Sequence, residues 1–200
     1  MKISVILAHP HPGSFNHAIA DEAAAMLRKS GHAVIVHDLY REQFDPLLPY
    51  DEIPRDADLP PAIAVHCREI ASADGIVFVH PDWWGMPPAI MKGWIDRVLR
   101  PGVAYRFAET DTGEGIPVGL LTVKAVLIFN TSNTPAEREQ EVFGDPLERI
   151  WRDCIVSFCG VPVFRRRMFG VVVTSTEELR KAWLDEVRKL TRDTFTPDHR

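Results

Sequence analysis

The sequence predicts an α/β domain in which a five-stranded parallel sheet is covered by helices on both faces. Three observations carry that expectation: five short apolar runs rich in Val, Ile and Leu, helical patterns alternating with them, and polar, Gly- or Pro-containing loops at the ends of three of the runs. Right-handed crossovers between such strands place helices on both faces. In open sheets of this class, ligands sit beyond the carboxyl ends of the strands, where the strand order reverses.

The elements follow in order. A first strand over residues 2–8 meets the loop His9-Pro10-His11-Pro12-Gly13, and a helical pattern runs from 14 to 30, with Ile19, Ala23, Met26 and Leu27 on one face and Gly31 as its stop. Residues 33–38 predict a second buried strand. Residues 39–61 hold Pro46, Pro49, Pro54, Pro60 and Pro61 and predict a long irregular connection, which at that length is functional or lies against a partner. A helix near 62–73 leads to a third strand over 75–79, the loop His80 to Pro88, and a helix over 89–99. A Gly- and Pro-containing excursion occupies 100–122, and a fourth strand, 124–129, ends in Asn130-Thr131-Ser132-Asn133-Thr134. A helical pattern over 147–158, a fifth strand within 161–173 and a last helix over 176–192 complete a single domain spanning 1–200.

Composition narrows the function. A net charge of −5 offers no surplus of Lys and Arg for nucleic acid, and Arg165-Arg166-Arg167 reads as a short solvated turn. Cys67, Cys154 and Cys159 form no C-x-x-C pair and read as small core residues of a reducing compartment. With neither a secretory leader at Met1-Lys2 nor ~20 consecutive apolar residues, a soluble cytoplasmic protein is expected. His9, His11 and His17 match no metal-ligand spacing, so no metal is expected, and His11 and His17 read as solvated. Trp94, Trp151 and Phe158 read as packing residues. The acidic run from Glu137 to Glu141 reads as the exposed first turn of a helix after Thr134-Pro135.

The three strand-end loops carry the chemistry. At the first, unsatisfied N–H groups at a helix start attract an anion, Ser14 and Asn16 add donors, and Gly13 lets the backbone approach. Neither G-x-G-x-x-G nor G-x-x-x-x-G-K-[ST] is present, so the anion site has no type on this evidence alone. The second loop offers Trp83 and Trp84 between prolines, flat faces suited to a planar heteroaromatic ring. The third offers short hydrogen-bonding side chains for the polar rim of such a ring. Together they predict a nucleotide-like cofactor, with flavin leading.

These stretches resemble a family, the flavodoxin-like NAD(P)H:quinone reductases related to DT-diaphorase and to the ancillary reductase of a potassium efflux system. The likeness rests on Ala8-His9 with Ser14-Phe15-Asn16-x-Ala18, on Pro81-x-x-Trp84, on Pro88-Ala89-Ile90-x-Lys92-Gly93-Trp94-x-x-Arg97-Val98, and on Ala104-Tyr105-x-Phe107. The resemblance implies that His9, Ser14, Phe15 and Asn16 hold the cofactor's phosphates, and that Pro81, Asp82, Trp83, Trp84 and Gly85 line one edge of the flavin ring. Asn130, Thr131, Ser132, Asn133 and Thr134 would line the other. It implies FAD, with FMN as the alternative, NADPH or NADH as donor, and a quinone-like acceptor. It further implies a homodimer with shared active sites, the excursion acting as a covering and dimerisation arm. Met86, Tyr105, Phe107 and Phe143 would then meet substrate or the neighbouring subunit.

The chain also departs from that family. Ser132-Asn133 stands where DT-diaphorase has a Gly-Gly pair, and counting back from Gly144-Asp145 puts Glu137 and Phe143 where it has a Tyr and a proton-handling His. Phe143 cannot transfer a proton, which leaves Glu137 as the candidate catalytic residue. The expected activity is hydride transfer from NAD(P)H through flavin to quinones or similar aromatic acceptors. The rival expectations are a flavin-binding ancillary subunit of a membrane transporter and a flavodoxin-type electron carrier.

Overall fold

The computed structural model describes residues 1–108 and 115–196. The chain runs through β1 (Lys2–Leu7), α1 (Phe15–Lys29), β2 (Ala33–Asp38), α2 (Pro61–Ala71), β3 (Gly75–Pro81) and α3 (Ala89–Val98). Two short strands follow, β4 (Tyr105–Phe107) and β5 (Pro117–Gly119), then β6 (Ala125–Thr131). Next come α4 (Ala136–Arg138, continued by a π-helical turn, Glu139–Phe143) and α5 (Pro146–Arg149, continued by π-helix over Ile150–Val156). The last elements are β7 (Val163–Phe169) and α6 (Glu177–Thr194).

The main sheet has the order β2-β1-β3-β6-β7 with every pairing parallel. The order reverses between β1 and β3, which opens a crevice beyond their carboxyl ends. Alternation along the strands builds two cores. Ile3, Val5 and Leu7 face α1 and α6, packing on Ile19, Leu27, Trp183 and Val187, while Ile6, Phe78 and Ile128 face Trp94 and Trp151 on the opposite side. Strands β3 and β6 run two residues beyond their apolar cores, pairing His80 with Asn130 and Pro81 with Thr131. The β4–β5 pair forms an antiparallel ribbon in the 100–122 excursion, whose residues 109–114 lie outside the described residues.

Several expectations are corrected. Strand β2 is an edge strand with only His37 buried, and Ile35 and Val36 are exposed, because one side of it has no neighbouring strand. Cys67 and Cys159 are buried but Cys154 is exposed. The three arginines belong to strand β7 rather than to a turn; Arg165 is exposed, whereas the side chain of Arg166 is 5% exposed among ion pairs.

The 39–61 connection packs against its own chain. Arg97 of α3 donates from Nε to Glu52 Oε2 (2.9 Å), from Nη2 to Glu52 Oε1 (2.5 Å) and from Nη1 to the Asp45 carbonyl (2.5 Å). Both charged partners are about 4% exposed. Gly93 makes the approach possible, since a Cβ there would stand 2.2 Å from the Pro46 carbonyl oxygen. Gly93 and Arg97 thus fasten this strap to α3, and Trp94 is fully buried.

A second charged cluster joins β2 to α2. His37 bonds Glu42 through Nδ1 (2.9 Å) and Glu69 through Nε2 (2.6 Å). Burial pulls its pKa down, but the two carboxylates outweigh burial and the pKa is raised. His66 is lowered by burial and then by His37. Ligand atoms of His37, Glu42 and His66 lie within 4.8 Å of one another. The Trp94 indole N–H donates to His66 Nδ1 (3.2 Å), so the neutral ring carries its proton on Nε2, facing Glu42, and no lone pair remains there for a cation.

Candidate functional site

Loops from β1, β3 and β6, joined by α4 and by the segment after β7, enclose a cleft of about 1000 Å³. From the first loop it is lined by His9, Ser14, Phe15 and Asn16; from the second by Pro81, Asp82, Trp83, Trp84 and Gly85; from the third by Thr131, Ser132, Asn133 and Thr134. Glu139, Val142, Phe143, Pro146, Val172 and Val173 close the remainder.

The first loop is built to present donors. Gly13 turns the chain with φ +78°, and Ser14 caps α1 by accepting from the His17 N–H. Ser14 Oγ and His17 Nδ1 are 2.9 Å apart, and His17 Nε2 meets Asp38 at 3.2 Å. His17 therefore holds the cap in place and is not solvated. Among the described residues, the backbone N–H groups of Phe15 and Asn16 have no protein partner. His9 Nδ1 lies 3.1 Å from the His11 backbone nitrogen and 3.3 Å from the His11 carbonyl oxygen, which anchors the ring to that backbone through Nδ1. Burial, and then the neighbouring histidines, lowers the His9 pKa against its bond to the His11 backbone, so the ring is neutral near pH 7. Asn16 ties the first loop to the third by donating to Thr131 Oγ1 (2.9 Å).

The second loop is a two-residue turn. Trp83 and Met86 exchange both backbone hydrogen bonds at 3.1 Å, and the central residues Trp84 and Gly85 have φ of 61° and 70°. That is the geometry of a type I′ turn, in which positive φ at both central positions favours Asn and Gly. Tryptophan stands there with its side chain fully exposed at the cleft mouth. A Cβ on Gly85 would come 2.6 Å from Pro146 Cγ, which fixes how closely this turn lies against α5.

Beneath the cleft lies a buried polar network. His80, with no exposure, donates from Nδ1 to the Pro81 carbonyl (2.8 Å) and accepts at Nε2 from Trp151 Nε1 and Asn130 Nδ2, both at 3.0 Å. Asn130 Oδ1 accepts from Arg166 Nε (2.7 Å), and Arg166 Nη1 pairs with Asp145 (2.7 Å) and Glu148 (3.1 Å). Burial, together with Arg166, lowers the His80 pKa to about 4 against its bond to Pro81, so the ring stays neutral. Asn130 supports the floor and is not a lining residue.

The acidic turn after β6 is corrected most. Glu137 is exposed and outside the lining, whereas Glu139 is 5% exposed and inside it, accepting from Ser132 Oγ (3.3 Å). Glu139 shares a helical face with Val142 and Phe143, a spacing visible in the sequence that the acidic composition of the run obscured. Asp82 is pushed up to about 6 by burial first and by Glu139 next, against the Gly85 N–H and Arg166. Val172 and Val173 also went unforeseen, although they follow the strand beside β6 and so stand at the same sheet edge as the other loops. Met86 is half exposed behind the turn and outside the lining. Tyr105 and Phe107 sit on the ribbon, Tyr105 packing edge-on against Phe158 at 4.8 Å, and neither lines this chain's cleft.

Two buried acceptors in the cleft wall, Asn16 Oδ1 and Asp82 Oδ1, have no partner among the described residues. Free backbone donors at the start of α1, the Trp83–Trp84 turn with Trp83 6.4 Å from the His9 ring, and orphaned acceptors in the wall fit a flavin with its phosphate on α1.

Comparison with known proteins shows what the chain is similar to. A Haemophilus influenzae protein named as an uncharacterized NAD(P)H oxidoreductase is 32% identical over 199 residues, covering 96% of this chain and 95% of the relative. The rat NAD(P)H dehydrogenase [quinone] 1 is 30% identical over 187 residues, covering 82% of this chain and 66% of that protein. A crystal structure of an FMN-dependent NADH-azoreductase from Bacillus anthracis, in complex with FMN, shares the fold with a TM-score of 0.76 at 16% identity, covering 96% and 98% of the two chains. The family model described as a flavodoxin-like fold matches residues 1–191, and the chain belongs to that family.

Proposed function

We propose that the protein is a flavin-dependent oxidoreductase that carries a hydride from NAD(P)H to quinones or similar aromatic acceptors. The convergence of three strand-end loops on one cleft, with an anion-binding helix start and a turn of two tryptophans lining it together, carries this reading. A bound flavin supplies the hydride chemistry, and the protein binds and orients it. The free N–H groups of Phe15 and Asn16 and the ring of His9 hold its phosphate. The Trp83–Trp84 turn lies along one side of the ring, and Thr131, Ser132, Asn133 and Thr134 meet its polar rim. Val142, Phe143 and Val173 present apolar surface at the mouth, which excludes water from the acceptor's side.

FAD is the cofactor we favour, since the cleft is at the upper end of small-ligand pocket sizes, about 300–1000 Å³. The 100–122 excursion is read as the arm of a homodimer, placing Tyr105 and Phe107 at the neighbour's site. Among the described residues no helix is long and apolar enough to cross a membrane.

The test is an anaerobic titration in one cuvette. Protein saturated with FAD or FMN is expected to bleach in one two-electron step with NADH or NADPH and to recover its full visible spectrum on addition of benzoquinone. Failure to retain either flavin after gel filtration overturns the reading. Retention without bleaching by either nicotinamide overturns the enzymatic part of it.

A further inference from the structure

Within the cleft, two carboxyl groups from different elements face each other: Asp82 at the end of β3 and Glu139 on α4. Burial and the neighbouring Glu139 carboxylate both raise the Asp82 pKa, since a second negative charge in this corner is disfavoured. Ser132 Oγ donates to Glu139, fixing its carboxylate as the acceptor. Asp82 Oδ1 is buried and has no partner among the described residues. The Arg166 guanidinium of β7, which acts against the rise in the Asp82 pKa, is held by Asn130, Asp145 and Glu148, and that of Arg138 lies over the Phe143 ring at 5.5 Å. Of the lining residues only His9, Asp82 and Glu139 titrate, and His9 stands at the anion end with its Nδ1 engaged. Phe143 lines the same cleft and offers no proton.

We propose that Asp82 and Glu139 hold one proton between them and that Asp82 delivers it to the oxygen of the acceptor as the hydride arrives. This inference rests on the hydride-transfer reading above. The acceptor gains the hydride drawn from NAD(P)H, which becomes NAD(P)+, together with the carboxyl proton. The Asp82 O–H bond breaks as the O–H bond of the product forms. The pair, left doubly ionised, regains its proton from solvent, and Ser132 and the Gly85 N–H hold the two charges meanwhile.

Infrared spectra of the flavin-free protein test the shared proton directly. Wild type is expected to show a protonated carboxyl band that titrates away near pH 6, above the ordinary carboxylate range. Asp82→Asn removes the band, and Glu139→Gln moves its titration to lower pH, leaving only the part that burial holds up. Rapid mixing of the reduced, flavin-loaded protein tests delivery. Asp82→Asn is expected to slow benzoquinone reduction on the order of 10²-fold, and to slow ferricyanide, which takes electrons without a proton, at least tenfold less. Equal slowing of both acceptors, or a band that persists in Asp82→Asn, overturns the proposal. If no flavin is retained, the hydride reading falls and proton delivery with it, while the infrared titration still decides whether the two carboxyls share a proton.

Discussion

Replacing Arg97 with methionine is expected to lower unfolding free energy by about 3–5 kcal/mol, because Glu52 is then left as an unpaired carboxylate in a buried site. The loss does not measure the worth of the ion pair. Bringing both charges out of water costs several kcal/mol per ion, so removing both together is far milder than removing either. The double variant Arg97→Met with Glu52→Leu is therefore expected to regain most of the lost stability in urea unfolding. The strap over residues 39–61 makes the effect local at first. With Arg97 gone, the Asp45 carbonyl and Glu52 both lose their donor, so the strap is expected to become sensitive to proteolysis before the sheet does. A double variant no more stable than Arg97→Met would overturn this account.

The second large effect is acid lability originating at His80. Its folded pKa of about 4 lies below the ordinary histidine value of 6.5. Between those values the unfolded chain binds a proton that the folded protein refuses, so stability falls as pH drops from about 6.5 toward 4. The loss reaches about 3 kcal/mol, at 1.36 kcal/mol per unit. Asp82 works in the opposite sense, because its folded pKa of about 6 lies above its unfolded value and the folded protein takes up a proton first. The two slopes partly cancel in the wild type, so the His80 contribution is read by difference. Urea midpoints of wild type and His80→Gln, taken at half-unit steps from pH 7 to 4, are expected to converge toward the acid end. Parallel curves would show that His80 does not set the lability. Below pH 4 the ring protonates within the fold, placing a positive charge against the indole N–H of Trp151 and beside Arg166.

Much of the fold could be read from the sequence, since a strand buried on both faces is an almost unbroken apolar run, as in Ile76 to Val79 and Ala125 to Phe129. The ends of those strands were harder to place. His80-Pro81 and Asn130-Thr131 look like loop because they are polar or carry proline, yet the ladder with the neighbouring strand continues through them. Edge position was invisible at β2, whose Val and Ile content is that of a central strand while its exposure depends on strand order. In the site, the residues that follow the strand ends were legible because topology fixes where those ends point. Glu139 was missed because local helix rules favour acids at a helix start on electrostatic grounds, and burial by a facing loop is a tertiary fact. Arg166 was missed for a related reason, since three consecutive arginines suggest solvent and only pairing with Asp145 and Glu148 makes the middle one a buried residue. The motif residues Gly93 and Arg97 turned out to serve the strap rather than the cleft.

The turn at Trp84 bears on how this protein would respond to selection. A bulky residue held at positive φ costs on the order of 1–3 kcal/mol, and here its side chain recovers nothing by burial. A screen for heat resistance alone, run without cofactor or acceptor, should therefore enrich Asn or Gly at position 84 early. Such variants would fold more firmly and present a bare turn where an indole now stands. Stability and ligand contact compete at this one residue, so its retention under a given selection reports whether function was being selected at all.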